Sequence, residues 1–137
     1  MFRRDLRRAR DSAYEALREV GSEALAPVPT GRLTLEGQRM VELARARACN
    51  PSLLLLDEPA SGLSSDQRER LAEILLDIAT RTTVVLVEHD LEMIKRTVSK
   101  VFVLIDGRLA FEGGPREFGE SPVVRSELMG LAAVSGL

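Results

Sequence analysis

The chain alternates between segments with an apolar residue every three or four positions and short runs that are apolar throughout. Residues 3–20 carry Leu6, Ala13, Leu17 and Val20 at helical spacings with Tyr14 beside them, which predicts an amphipathic helix closed by Gly21. The following GSEALAPVPTGR, with its prolines and glycines, reads as an irregular connector. A second helix is expected to begin between Thr34 and Gly37. EGQRMVELARARA is rich in helix formers and sets Met40, Val41, Ala44 and Ala48 on one side, and Asn50-Pro51 ends it.

The period then changes. LLLLD at 53–57 and TTVVLVE at 82–88 are short, apolar and bounded by turn signals, which is how parallel strands buried on both faces read. Between them Ser64 and Ser65 offer N-caps, Ser64 with Gln67 forms a capping box, and Leu71, Ile74, Leu75 and Ile78 make a buried helical stripe. Strand, helix, strand implies a right-handed crossover and a parallel sheet, so the fold class is α/β. After His89-Asp90 a fourth helix carries Leu91, Ile94 and Val98, and VFVLI and RLAFE flank the hairpin turn Asp106-Gly107. Gly113-Gly114-Pro115 introduces a short helix with Pro115 in its first turn, and SPVVRSELMG reads as one more.

Composition changes this picture little. With 137 residues, 45% hydrophobic and 29% charged, the chain suits one soluble domain or part of one. The net charge of -2 advertises no polyanion, although MFRRDLRRAR concentrates Arg3, Arg4, Arg7, Arg8 and Arg10 at the start. Without interleaved aromatics to stack on bases, that cluster reads as a solvated helix face, and no nucleic-acid partner is expected. Cys49 has no second cysteine to pair with and reads as a small core residue of a protein kept in a reducing compartment. No signal peptide is recognised, and no apolar run approaches the ~20 residues of a membrane-spanning helix.

The candidate chemistry gathers at strand ends, because open α/β sheets bind ligands beyond the carboxyl ends of their strands. Asp57, Glu58, Glu88 and His89 all fall there. For an acidic pair alone, a helix cap or solvated turn is the competing reading, and a lone histidine is commonly structural. The surrounding residues shift both readings. LLLLDEPASGLSS followed by VVLVEHD resembles the second half of an ATP-binding cassette (ABC) ATPase, a P-loop NTPase fold.

That resemblance implies roles. The strand ending in Asp57-Glu58 matches the Walker B motif, in which Asp57 would hold Mg²⁺ and Glu58 would act as general base toward the water attacking the γ-phosphate of ATP. His89 matches the switch histidine, and Ser61, Gly62, Leu63 and Ser64 match the D-loop, which reaches across a dimer interface. LTLEGQRMVELARARA resembles the signature motif and its helix. Anchored on LARA without a gap, Thr34 stands where the family has serine, Leu35 and Glu36 where it commonly has two glycines, and Gly37 where it has glutamine. A one-residue slip restores Gly37-Gln38, and both registers remain open. A carboxylate at Glu36 would oppose a triphosphate by charge and bulk.

The sequence contains no G-x-x-x-x-G-K-[ST] loop to cradle phosphates, and neither Lys95 nor Lys100 sits in such a pattern. The resemblance therefore implies the C-terminal portion of one ATPase domain. In it, 1–50 would be a helical-subdomain remnant with the signature helix, 51–112 the Walker B, D-loop and switch-histidine core, and 113–137 a C-terminal helical tail. Expected partners are transmembrane permease subunits and a second ABC ATPase subunit. The membrane would be reached only through those partners, at the cytoplasmic face. IDGRLAFEGGPREFGESPVVRSELMG further resembles the ending of ATPases from branched-chain amino-acid importers. The competing reading is a non-catalytic interaction module or split protein that complements another chain. In the family's sheet order, the strand at 83–88 would lack its P-loop neighbour, so the isolated chain is expected to self-associate through that edge.

Overall fold

The computed structural model describes residues 2–126; the side chains of Arg3 and Arg4 and the 127–137 part of the expected tail lie outside the description. The chain divides into two compact units, Met1–Val87 and Glu88–Leu137.

The first unit contains helices α1 (Phe2–Glu19), α2 (Leu35–Ala48) and α3 (Ser65–Ala79) and strands β1 (Leu53–Asp57) and β2 (Thr83–Val87). The expected crossover is present: β1 and β2 pair in parallel in the register Leu53↔Thr83 to Asp57↔Val87, with α3 between them in the chain. The helix starts follow their caps. Thr34 Oγ1 accepts from the Gly37 amide at 3.1 Å, and Ser64 and Gln67 complete the capping box at the head of α3. Short 3-10 turns at Glu23–Leu25 and Thr30–Arg32 shape the connector.

Packing corrects several expectations. Leu71, Leu75 and Ile78 of the expected stripe are buried and Ile74 is half-buried, with Leu54 and Ala72 buried as well, but the strands are covered on one face only. Leu53, Leu55, Val85 and Val87 point to the other face, and Leu55 is 68% exposed. A continuous apolar run records what a strand can bury, and these side chains stay about half or more exposed. Ala16 in α1 and Val20 just after it are buried, while Leu6, Ala13 and Tyr14 are exposed. Cys49 is exposed at the C-cap of α2 and is not a core residue.

Arg47 in α2 is a charged residue inside the core. It is buried, its Nε donating to Glu19 Oε2 at 3.1 Å and its Nη1 to Thr82 Oγ1 at 2.7 Å. One guanidinium thus ties the ends of α1 and α2 to the residue preceding β2, and its planar fork suits two partners at once.

The second unit holds α4 (Leu91–Thr97), an antiparallel hairpin of β3 (Val101–Ile105) and β4 (Arg108–Gly113), then α5 (Pro115–Glu120) and α6 (Pro122–Val124). Asp106 (φ 49°) and Gly107 (φ 74°) make the hairpin turn in the left-handed region, where aspartate and glycine are tolerated. Val101, Val103, Phe118 and Val124 form its core, with Phe111 tilted 57° against Phe118 at 6.0 Å between ring centroids.

Removing the buried fork should be costly. Arg47→Ala is expected to lower unfolding free energy by ~2–4 kcal/mol in chemical denaturation, through the orphaned Thr82 and Glu19 contacts and the space left behind. The exposed neighbour Arg45→Ala should stay within about 0.5 kcal/mol.

Candidate functional site

Strand β1 delivers Asp57 as its last residue and Glu58 as the residue after it. Glu58 leaves the strand in the left-handed region (φ 44°) while its amide donates to Val87 O at 2.8 Å, so the tie to β2 holds the turn. Among the described residues, asparagine and aspartate occupy the other two non-glycine positive-φ positions, Asn50 and Asp106, residue types whose short polar side chains suit that region. Glutamate does not share that preference. Such conformations cost about 1–3 kcal/mol and concentrate where function requires them.

The chain after Glu58 winds into a compact loop. Ser61 N donates to Glu58 O and Leu63 N to Ala60 O, both at 3.1 Å, while Ala60 and Leu63 are buried. Gly62 (φ 77°) makes the turn, and a Cβ there would come within 2.8 Å of Leu35 Cδ2. Ser64 then caps α3. Beside Asp57 a cleft of about 260 Å³ opens, its lining including Arg39, Glu42, Leu56 and Pro59.

The structure brings the signature-like segment to this loop. Thr34 is the N-cap of α2, which puts Glu36 and Gly37 in the first turn, and Gln38 Nε2 donates to Leu33 O at 3.3 Å. Glu36 is engaged within the chain: its Oε2 accepts from Gln67 Nε2 at 3.0 Å and its Oε1 from Arg70 Nη1 at 3.4 Å. Sequence reading missed Gln67 and Arg70 as partners because the contact joins two helices about thirty residues apart. Their shared face on α3, three residues apart, was the available signal.

His89 belongs to the second unit. It is exposed, and its amide donates to Glu88 Oε2 at 3.3 Å, so the reading of a satisfied core histidine falls away. Asp90 follows as the N-cap of α4, its Oδ1 accepting from the Glu92 and Met93 amides. The basic residues Arg7, Arg8 and Arg10 are exposed along α1, as a solvated face requires.

Among the described residues no group of three or more His, Cys, Asp or Glu side chains could hold a metal ion by itself. A lone carboxylate at a strand end still fits Mg²⁺ that arrives with nucleotide phosphates, because that ion keeps most of its water and needs only one or two protein carboxylates. No helix among the described residues is long and apolar enough to cross a membrane.

No protein-family model matches the chain. It is 32% identical over 130 residues to the high-affinity branched-chain amino acid transport ATP-binding protein LivG of Salmonella typhimurium, an alignment covering 93% of this chain and 51% of LivG. It is 36% identical over 105 residues to the phosphate import ATP-binding protein PstB 2 of Mycobacterium tuberculosis, covering 77% of this chain and 38% of the relative. The chain thus spans about half the length or less of these curated relatives. Among solved structures, the ADP conformation of MJ1267, an ATP-binding cassette of an ABC transporter, superposes with a TM-score of 0.77 at 21% identity, covering 93% of this chain and 50% of that one. That likeness shows the fold alone: this α/β chain has the fold of part of that ATP-binding cassette.

The left-handed Glu58 gives a stability test. Glu58→Gly should raise unfolding free energy by about 1 kcal/mol, because glycine adopts the observed φ without a Cβ clash. Glu58→Ala, which keeps the Cβ, should give no such gain.

Proposed function

We propose, for a chain homologous along nearly its whole length to the ATP-binding proteins of ABC transporters, that it carries the water-activating half of an ATP-hydrolysing cassette. The observation that carries this reading is Glu58, held left-handed directly after Asp57 at the carboxyl end of β1. Consecutive acids leaving a strand diverge, so one can face a metal while the other reaches water.

In the assembled site, Asp57 would hold Mg²⁺ with the nucleotide phosphates; the ion, when bound, supplies charge neutralisation to the phosphoryl oxygens. The Glu58 carboxylate accepts the proton of the water directed at the γ-phosphate. His89 donates a hydrogen bond to the γ-phosphate side of the same reaction. Thr34, Glu36, Gly37 and Gln38 at the head of α2, with Ser61, Gly62, Leu63 and Ser64 of the loop, form the surface presented to a second ATPase subunit. The phosphates require a P-loop, which this sequence does not contain. Function therefore depends on sequence from elsewhere, and the transmembrane permease partners, with the cytoplasmic face of the membrane as the working place, follow from the transporter reading. LivG favours branched-chain or other amino acids as the cargo, on the strength of its similarity along most of the chain and of the C-terminal pattern.

A second reading is a non-catalytic module or split protein that completes another chain, and the open apolar face of β1 and β2 favours it. Leu53, Leu55, Val85 and Val87 expose a surface that water disfavours, and β2 has one paired edge in the described sheet.

Three experiments test these readings. Titration calorimetry and phosphate release with Mg²⁺ and ATP should find no turnover by the chain alone; Glu58-dependent turnover by the chain alone would overturn the need for a separate P-loop. In an assembly that supplies a P-loop, Glu58→Gln should keep ATP binding and slow turnover by about 10²-fold or more, with unchanged turnover refuting its role. His89→Ala should slow turnover at least about tenfold with an unchanged melting temperature. Sedimentation analysis of the chain alone should show concentration-dependent self-association that Leu55→Lys weakens, whereas a monodisperse monomer would count against the open-face reading.

A further inference from the structure

The segment at the head of α2 and the loop 59–64 are joined by contacts that nothing in the catalytic reading requires. Both oxygens of the Glu36 carboxylate are taken, one by Gln67 Nε2 at 3.0 Å and the other by Arg70 Nη1 at 3.4 Å. Gln67 passes the connection onward, because its Oε1 accepts from the Ser64 amide at 2.9 Å, the last residue of the loop. Arg70 passes it the other way, its Nη2 donating to Gly21 O at 2.8 Å beyond the end of α1. Next to Glu36, Leu35 lies against the bare backbone of Gly62, where a Cβ would sit 2.8 Å from its Cδ2. One apolar contact and one hydrogen-bonded relay thus bridge the same two segments.

We propose that Leu35 and Glu36 are positioning residues: they latch the loop 59–64 onto the head of α2, so that the two segments form one preformed surface. The identity of the partner meeting that surface rests on the function proposed above; the latch does not. The two side chains that depart from the glycines of the resembling pattern are both turned to this internal task. Glu36 is therefore opposed by a guanidinium and an amide, and its charge is satisfied within the chain. Gly62 suits the same place, since its φ of 77° disfavours a side chain and a Cβ there would displace the Leu35 methyl. Preformed loops lose less freedom when a partner binds, which is what such a latch contributes.

The exchange of two charge states between Glu36 and Gln67 tests this directly. Gln67→Glu keeps the capping box, since glutamate accepts from the Ser64 amide as glutamine does, but sets a second carboxylate against Glu36. Amide hydrogen exchange on the full chain, read at Ser61 and Leu63, whose amides donate within the loop, should accelerate about tenfold. The double substitution Glu36→Gln with Gln67→Glu restores a donor facing an acceptor and should bring both amides back to within about twofold of the starting rates. Leu35→Ala, which breaks the apolar contact and no hydrogen bond, should accelerate the same amides, while those of Leu71 to Ile78 stay unchanged in every variant. Unchanged exchange in Gln67→Glu, or failure of the double substitution to restore it, would overturn the latch. The measurement uses no nucleotide, so unchanged turnover of Glu58→Gln in an assembly that supplies a P-loop would sink the catalytic reading and leave this result standing.

Discussion

The parallel pairing of Leu53–Asp57 with Thr83–Val87 is the constraint on which the first unit depends. Parallel neighbours need a crossover, and α3 supplies it, burying Leu71, Leu75 and Ile78. The same pairing ends both strands together, so Asp57 and Glu58 emerge at the carboxyl end with the Glu58 amide tied to Val87. It also leaves Leu53, Leu55, Val85 and Val87 uncovered. Site and open face are thus two consequences of one two-stranded sheet with helices on one side.

Around that sheet, polar groups do the joining that a larger core would otherwise do. Arg47, buried beside Glu19 and Thr82, holds two helix ends to the start of β2. Arg70 and Gln67 gather Glu36, Gly21 and Ser64 on the α3 side. A buried charge such as Arg47 costs desolvation and is kept only where geometry supplies several partners at once, whereas Arg70 stays exposed. Each of these side chains has at least two.

The second unit reaches stability by a different route. Its hairpin turns at Asp106-Gly107, and Val101 and Val103 on one face meet Phe118 and Val124. Asp90 caps its first helix, leaving His89 exposed just before the cap. An exposed histidine next to a helix start lies outside the core and is open to solvent.

Local rules carried much of this from sequence alone. The period change at Leu53, the capping box of Ser64 and Gln67 and the hairpin all depend on neighbours within a few residues, so the sequence determined them, and the strand–helix–strand order implied the crossover. The acids at the strand end were legible for the same reason. What only tertiary structure decided depends on which surfaces meet. Leu53 and Leu55 are as apolar as buried strand residues, yet exposed, because composition records what a side chain can bury and not what lies over it. Cys49 fell outside the core and Arg47 inside it by the same physics: the direction of α2 against α1 sets which residues lose water. The left-handed turn at Glu58 and the partners of Glu36 were invisible for a related reason, since both are held by residues about thirty positions away in the chain.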